Sequence, residues 1–174
     1  MIRSLNKKTP QIHPKAFVSE AAYIVGDVQI DEGASIWPGT VIRADSGYIK
    51  IGKKTCIQDN SVLHGDDNVI IGENVVIGHR VLCHAKEVGD RSLIGNGATV
   101  NDGVIIGDDS LLASGTVVLE NQQFESRSMV VGIPGKRIGK VQNRHVELIK
   151  NIAELYKKRG ELYKSEGNLE SDRI

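Results

Sequence analysis

The sequence predicts an all-β solenoid followed by one α-helix, and three observations support that prediction. Aliphatic residues recur at every sixth position through most of the chain, whereas helices repeat at 3.6 residues and ordinary strands at two. Glycine is abundant, at 19 residues, and only 4 % of the 174 residues are aromatic, which suits stacked aliphatic columns. After residue 142 the six-residue period gives way to helical spacing.

The six-residue repeat predicts a prism, because each unit supplies one short strand and one corner, and three units close a coil. The aliphatic residue of each unit points inward, and successive coils stack at the strand spacing of about 4.8 Å. The longest unbroken run is Val88, Ile94, Val100, Ile106, Leu112 and Val118. We expect the prism to form the first domain, residues 1–142.

Residues 143–174 are expected to form a second unit, a helix packed along the prism and a polar tail. Between residues 143 and 165 one helical stripe contains Val146, Ile149, Ala153, Tyr156 and Tyr163. The final segment, GNLESDRI, is polar and is expected to fray.

Charge and composition exclude several classes of partner. Lysine plus arginine and aspartate plus glutamate both number 22, so nothing attracts the chain to nucleic acid or to an anionic membrane. No apolar run approaches the ~20 residues that span a bilayer, and the N-terminus lacks the apolar core of a signal peptide. Cys56 and Cys83 lack CxxC spacing and are expected to be free thiols. We therefore expect a cytoplasmic protein with a small-molecule substrate.

Each aliphatic residue is assigned to one of the three faces of the prism. Irregular steps, such as the nine residues from Ile42 to Ile51, are treated as corner loops. This assignment places polar side chains in two columns. Face one has the inward residues Ile24, Ile42, Leu63, Cys83, Val100 and Val118, and face three has Ile36, Ile57, Ile77, Ile94 and Leu112. The residues that follow face one form an outward column of Arg43, His64, His84 and Asn101, and those two places beyond face three include Asp59, His79 and Asn96. His64 and His84 are thus expected to be neighbours, with His79 around a corner.

Three of the five histidines fall in these columns, and together they predict a metal site. Two imidazoles on one face can share a metal ion, but the third points off another face. A threefold assembly resolves this, because face one of one chain can meet face three of the next. We therefore predict a homotrimer in which His64 and His84 come from one chain and His79 from its neighbour. Three neutral imidazoles leave a fourth position open for water, as in catalytic zinc sites.

Six segments carry a resemblance to a known family: VIRADSGYIKIG, TCIQDNSVLH, VVIGHRVLCH, LIGNGATVNDG, VVGIPGK and the helical IKNIAELY. Over nearly the whole chain the sequence resembles the γ-class carbonic anhydrases, in their short-loop subclass. The resemblance implies a left-handed parallel β-helix, and a Zn²⁺ ion that His64, His79 and His84 bind between subunits. Fe²⁺ and Co²⁺ accept the same ligands. The implied reaction is reversible hydration of carbon dioxide to bicarbonate by a zinc-bound hydroxide.

The same resemblance assigns roles to further polar residues. Arg43 and Asp59 match a family pair that bridges two subunits beside the metal. Asp45 and Gln58 match accompanying polar positions, and Tyr156 falls where short-loop members carry a tyrosine. Gln58 is expected to orient the hydroxide or the substrate, and Arg43 to hold the anionic product.

The sequence departs from the family pattern at three places. The family's RGD reads RAD here, with Ala44, and the methionine of its LIGMGA is Asn96. The acidic loop that supplies a proton-shuttle glutamate is absent, and only residues 65–68 stand in its place. Proton transfer then falls to Asp67, Tyr156 or water, which predicts a slow enzyme.

Alternative interpretations stay open at this point. Many proteins of this repeat class are CoA-dependent acyltransferases, which rely on a single catalytic histidine, and some relatives are thioesterases that could use the same metal. A metal-binding or assembly protein of low activity is a further alternative. The Arg43 and Asp59 pair could serve only to stabilise the trimer, Tyr156 could serve only to pack, and Asn101 is a candidate for ligand contact.

Overall fold

The fold is given by a computed structural model, which describes residues 1–167. Almost all of the predicted polar tail, residues 168–174, lies outside the described residues. In chain order the strands are β1 (Ile2–Arg3), β2 (Gln11–Ile12), β3 (Phe17–Val18), β4 (Tyr23–Ile30), β5 (Ser35–Ile36), β6 (Val41–Ile51), β7 (Cys56–Ile57), β8 (Val62–His64), β9 (Val69–Ile71), β10 (Val76–Ile77), β11 (Leu82–Cys83), β12 (Glu87–Val88), β13 (Leu93–Ile94), β14 (Thr99–Val100), β15 (Ile105–Ile106), β16 (Leu111–Leu112), β17 (Val117–Val118), β18 (Gln123–Phe124), β19 (Ser128–Val131) and β20 (Lys136–Lys140). One helix, α1, spans Asn143–Ser165 within the described part of the chain.

The strands wind into a left-handed parallel β-helix of about seven turns, which confirms the predicted fold class. Faces one and two belong to one continuous sheet, in the order β17-β14-β11-β8-β6-β9-β12-β15-β18, because the long strands β4 and β6 run around the corner between them. Face three is a separate sheet in the order β20-β19-β16-β13-β10-β7-β5-β3. Each face therefore stacks one short strand per coil.

Strand register confirms the predicted columns. On face one Leu63 pairs with Cys83, and on face three Ile57 pairs with Ile77 and Ile77 with Ile94. The inward residues of face two are Ile30, Ile51, Ile71, Val88, Ile106 and Phe124. The aliphatic members of these columns form one continuous buried core. Each fully buried aliphatic side chain contributes about 1.5–3 kcal/mol through the hydrophobic effect.

The step of nine residues from Ile42 to Ile51 was expected to be a corner loop, and that expectation is wrong. Residues 41–51 form a single strand, β6, that pairs with β4 on one side and with β8 and β9 on the other. The extra residues are absorbed by a register shift between Gly26 and Val28. Ala44 lies at this bend and is buried in the core. By contrast, residues 65–68 do form a loop between β8 and β9, as predicted.

Helix α1 packs on face three, against β3, β5, β7 and β10. Its buried side is formed by Val146, Ile149, Ala153 and Gly160. The rings of Tyr156 and Tyr163 both contact Trp37, at centroid distances of 5.3 and 5.2 Å. The predicted helical stripe is therefore confirmed, while the division into two domains at residue 142 stays a prediction. Among residues 1–167, no helix combines the length and the apolarity that crossing a bilayer requires.

Both cysteines are free and fully buried, Cys83 in the face-one column and Cys56 against α1. Burial raises the pKa of Cys83 to about 11 and that of Cys56 to about 12. The reactive thiolate is therefore scarce at neutral pH. We expect iodoacetamide at pH 8 to leave both thiols unmodified in the native protein and to modify both in urea, as read by intact mass. Rapid modification of the native protein would contradict this assignment.

The same raised pKa values predict alkaline destabilisation. The unfolded thiols lose their protons near their ordinary pKa of 9.0, whereas the folded thiols keep them to about 11 and 12. The folded state therefore binds more protons above pH 9, and its stability falls as the pH rises through that range.

Candidate metal centre

Face one brings His64 and His84 together. His64 ends β8, and His84 follows β11 directly, so the pairing of Leu63 with Cys83 places the two histidines side by side. Their ring centroids are 4.6 Å apart, and His64 Nδ1 lies 2.8 Å from His84 Nε2. The predicted adjacency of the two histidines is thus a property of the folded chain.

A carboxylate contacts the remaining nitrogen of each ring. His64 Nε2 donates to Asp45 Oδ1 at 2.8 Å, and His84 Nδ1 donates to Asp102 Oδ1 at 2.6 Å. Arg43 forms an ion pair with the second oxygen of Asp45. The hydrogen bond from His64 holds the pKa of Asp45 below its usual range, and Arg43 acts in the same direction. We call Arg43, Asp45, His64, His84 and Asp102 the paired half-site.

His79 lies on face three, two residues after β10, and is not brought to the other two histidines. Its Nδ1 lies 3.0 Å from Asp59 Oδ2, and its backbone N–H donates to Asn96 Oδ1 at 2.9 Å. The His79 side chain is 42 % exposed. Residues 1–167 of one chain contain no cluster of three histidine, cysteine or acidic side chains that could hold a metal ion.

Gln58 and Tyr156 lie on the same side of the molecule as His79. All three line a groove of about 360 Å³ between face three and α1. Gln58 is buried, and within residues 1–167 its amide nitrogen has one weak acceptor, the Cys56 sulfur at 4.0 Å. Burial raises the pKa of Tyr156, so its phenol stays protonated at neutral pH. We call Gln58, Asp59, His79 and Tyr156 the single half-site.

The predicted site residues thus divide between two half-sites on different faces. Arg43 and Asp59 do not pair within the chain, because each has a local partner instead, Asp45 for Arg43 and His79 for Asp59. The bridging of two subunits by Arg43 and Asp59 stays a prediction.

Comparison with known proteins gives matches at both sequence and structure level. The family model described as bacterial transferase hexapeptide (six repeats) matches residues 86–120. Gamma carbonic anhydrase 1, mitochondrial, of Arabidopsis thaliana is 35 % identical over 84 % of this chain, which spans only 56 % of that relative's length. Protein YrdA of Escherichia coli K12 is 33 % identical over 79 % of this chain and 80 % of its own length.

A solved structure supports the same relationship over the full fold. The hexapeptide transferase family protein from Anaplasma phagocytophilum is 32 % identical, with a TM-score of 0.90 over 94 % of this chain and 98 % of its own. This chain belongs to the γ-carbonic anhydrase-like family of hexapeptide-repeat proteins.

Members of the γ-carbonic anhydrase-like family use a metal ion, and the paired half-site fits one chemically. Neutral imidazoles that donate to carboxylates through one nitrogen keep a lone pair on the other. His64 Nδ1 and His84 Nε2 therefore present two lone pairs to each other 2.8 Å apart, which a cation between them would satisfy. Tetrahedral zinc with bonds of about 2.0–2.1 Å needs nitrogens about 3.3 Å apart, so the rings need to part by about half an ångström.

Asp102 was not among the site residues predicted from the sequence. Asn101, which directly follows the inward Val100, was predicted as a candidate for ligand contact, but its amide donates to the Val118 carbonyl at 2.7 Å. The carboxylate that reaches His84 belongs to the next residue, at the corner of the coil. The segment NDG indicates such a contact. An Asp-Gly turn at a corner places the aspartate carboxylate close to a histidine of the adjacent coil.

A polar cavity of about 380 Å³ adjoins the paired half-site. It is lined by His84, Asp102, Asn121 and the loop of residues 65–68. Asp67, a predicted candidate for proton transfer, is exposed at this cavity, and its carboxylate accepts the Asn68 N–H at 2.8 Å. The cavity connects the region of His84 with solvent.

Proposed function

We propose that the protein is a zinc-dependent carbonic anhydrase that hydrates carbon dioxide reversibly to bicarbonate at a site shared by two chains. The observation that carries this proposal is that each of three histidines has its own carboxylate partner at one ring nitrogen: His64 and His84 are hydrogen-bonded to Asp45 and Asp102, and His79 lies 3.0 Å from Asp59. Carboxylates in that position orient imidazole ligands and increase their basicity. The other ring nitrogens of His64 and His84 face each other at 2.8 Å, where a cation held between them would take their lone pairs.

The division into two half-sites supports a homotrimer. His64 and His84 lie on face one, and His79 lies on face three with a largely open side chain. A contact of face one of one chain with face three of the next is heterologous, and it closes into a ring of three copies if neighbouring chains are related by a rotation of about 120°. Each trimer would then hold three equal sites, each with two histidines from one chain and one from its neighbour.

His64, His84 and the neighbouring chain's copy of His79 would hold the zinc ion, which would supply a water-derived nucleophile at neutral pH. The remaining functions belong to the chain. Asp45, Asp59 and Asp102 hold the three imidazoles in orientation. Gln58 has an amide with spare hydrogen-bonding capacity for the substrate or for the attacking group.

Arg43 and Tyr156 have narrower roles. The Arg43 guanidinium is close to Asp45 and offers further N–H donors to the anionic product. Tyr156 can donate a hydrogen bond. Its raised pKa keeps the phenol protonated at neutral pH, so the phenol does not accept a proton there. Protons leave through the polar cavity beside His84, whose lining includes the exposed loop residue Asp67. Two exposed loop carboxylates, Asp66 and Asp67, in place of a dedicated acidic loop predict slow turnover.

Acyl-CoA chemistry is the second candidate, favoured by the family model's description as a bacterial transferase and by the transferase relative of known structure. A thioesterase could use the same metal, whereas an acyltransferase with a single catalytic histidine would not need it. A non-catalytic metal-binding protein is the third candidate.

Stopped-flow hydration of carbon dioxide by metal-analysed protein, beside a His79→Ala variant of the same oligomeric state, tests the proposal. We expect metal-dependent hydration that falls at least about 100-fold in the variant, because the site loses one of three ligands. Fe²⁺-loaded and Co²⁺-loaded protein tests whether other metals support the reaction. Absence of hydration at full zinc occupancy would refute the carbonic anhydrase proposal, and acyl-CoA hydrolysis measured on the same sample would support the second candidate.

A further inference from the structure

Asp102 occupies a rigid corner of the coil above His84. The backbone on either side is fixed by coil stacking: the His84 N–H donates to the Val100 carbonyl at 2.8 Å, and the Asn121 N–H donates to the Asp102 carbonyl at 2.8 Å. Gly103 completes the corner with a φ of +69°, a conformation that glycine adopts without strain. The position of the Asp102 carboxylate is therefore set by the fold of the prism.

The contact between Asp102 and His84 selects one tautomer of the His84 imidazole. An ionised carboxylate only accepts hydrogen bonds, so His84 Nδ1, 2.6 Å from Asp102 Oδ1, carries a proton. In the neutral ring the lone pair then lies on Nε2, the atom that faces His64 Nδ1 at 2.8 Å. Among the described residues, Asp102 is the side chain that contacts Nδ1 of His84.

We propose that Asp102 is a positioning residue of the metal centre, which holds His84 in the Nδ1–H form with Nε2 directed at the metal. This inference rests on the proposed function for its metal, but not for the ring form that it assigns. The family resemblance gave roles to Asp45 and Asp59 and none to Asp102, so the role of Asp102 is inferred from the geometry of this chain.

A purely structural role makes a different prediction. The Asp102 side chain is 53 % exposed, and an ion pair so open to solvent contributes little to folding stability. Loss of a carboxylate that orients a metal ligand typically weakens metal affinity 10–100-fold. Zinc affinity and the protonated nitrogen of His84 therefore distinguish a positioning residue from a surface ion pair. Thermal stability does not distinguish them.

The test compares Asp102→Ala with Asp66→Ala in the full-length protein. Asp66 lines the same cavity and has no histidine contact, so its variant removes an equal charge from the same surroundings. Zinc affinity is measured by competition with a chelator, and the protonated nitrogen of His84 is identified by long-range ¹⁵N–¹H NMR of metal-free protein at about pH 8. Asp102→Glu keeps a carboxylate and tests rescue.

We expect Asp102→Ala to weaken zinc affinity about 10–100-fold and to shift protonation of His84 away from Nδ1. We expect Asp66→Ala to match the wild type in both measurements and Asp102→Glu to recover part of the affinity. An unchanged ring form in Asp102→Ala would overturn the inference, and so would an affinity loss that Asp66→Ala reproduces. If the wild type binds no zinc, the proposed function fails, and the NMR result on metal-free protein still decides the inference.

Discussion

Replacing His64 with alanine is expected to weaken zinc binding by about 100-fold or more and to reduce carbon dioxide hydration to the uncatalysed rate. The His64 side chain is 9 % exposed and contacts both Asp45 and His84, so its removal takes away an imidazole at the centre of the paired half-site. Its removal leaves His84 as the only imidazole of the paired half-site. Metal content after dialysis against a weak chelator, together with stopped-flow hydration, measures both effects.

His13→Ala is the matched control for His64→Ala. His13 is exposed, and its ring accepts the Lys15 N–H far from the paired half-site. The control is expected to keep the zinc content and the hydration rate of the wild type. Full zinc occupancy in His64→Ala would contradict the assignment of His64 as a ligand.

Replacing Ile77 with alanine is expected to lower the free energy of unfolding by about 2–5 kcal/mol, because it leaves a cavity in a packed interior. Ile77 is fully buried, pairs with Ile57 and Ile94 in adjacent coils, and lies two residues before His79. Equilibrium urea unfolding at fixed protein concentration measures the loss, since dissociation of an oligomer would make the midpoint concentration-dependent.

Ile138→Ala makes the same chemical change on the surface. Ile138 is 62 % exposed on β20, and its variant is expected to stay within about 0.5 kcal/mol of the wild type. Equal destabilisation by the two variants would contradict the assignment of Ile77 to the interior column.

The fold could be predicted because the repeat is written directly in the sequence. A period of six leaves one inward position per strand, and each inward residue then fixes which neighbours point outward. That is why the adjacency of His64 and His84, and the separation of His79 from both, followed from counting residues. The same counting set the helix start near residue 143, where helical spacing replaces the six-residue period.

Features outside the period were harder to predict. The antiparallel hairpin of β19 and β20 was not anticipated, because all five residues of β20 are exposed and carry no apolar alternation. The strand β6 was taken as two strands and a loop, since a period of six does not describe a strand that runs around a corner.

Asp102 was missed for a related reason. Corner residues do not follow the inward and outward alternation of the strands, so the direction of their side chains depends on turn geometry. His79 could be placed on face three by the same counting, but its part in the site depends on a second chain.

Mixing two inactive variants tests the shared site most directly. The trimer is reassembled from equal amounts of His64→Ala and His79→Ala chains. The His79→Ala chain keeps His64 and His84 on face one, and the His64→Ala chain keeps His79 on face three. A site is therefore complete only where these two intact faces meet. Random assembly meets that condition at about a quarter of the interfaces. We therefore expect the mixture to recover about a quarter of wild-type hydration and zinc content, while each variant alone stays inactive. A mixture as inactive as its components would contradict a site shared between chains.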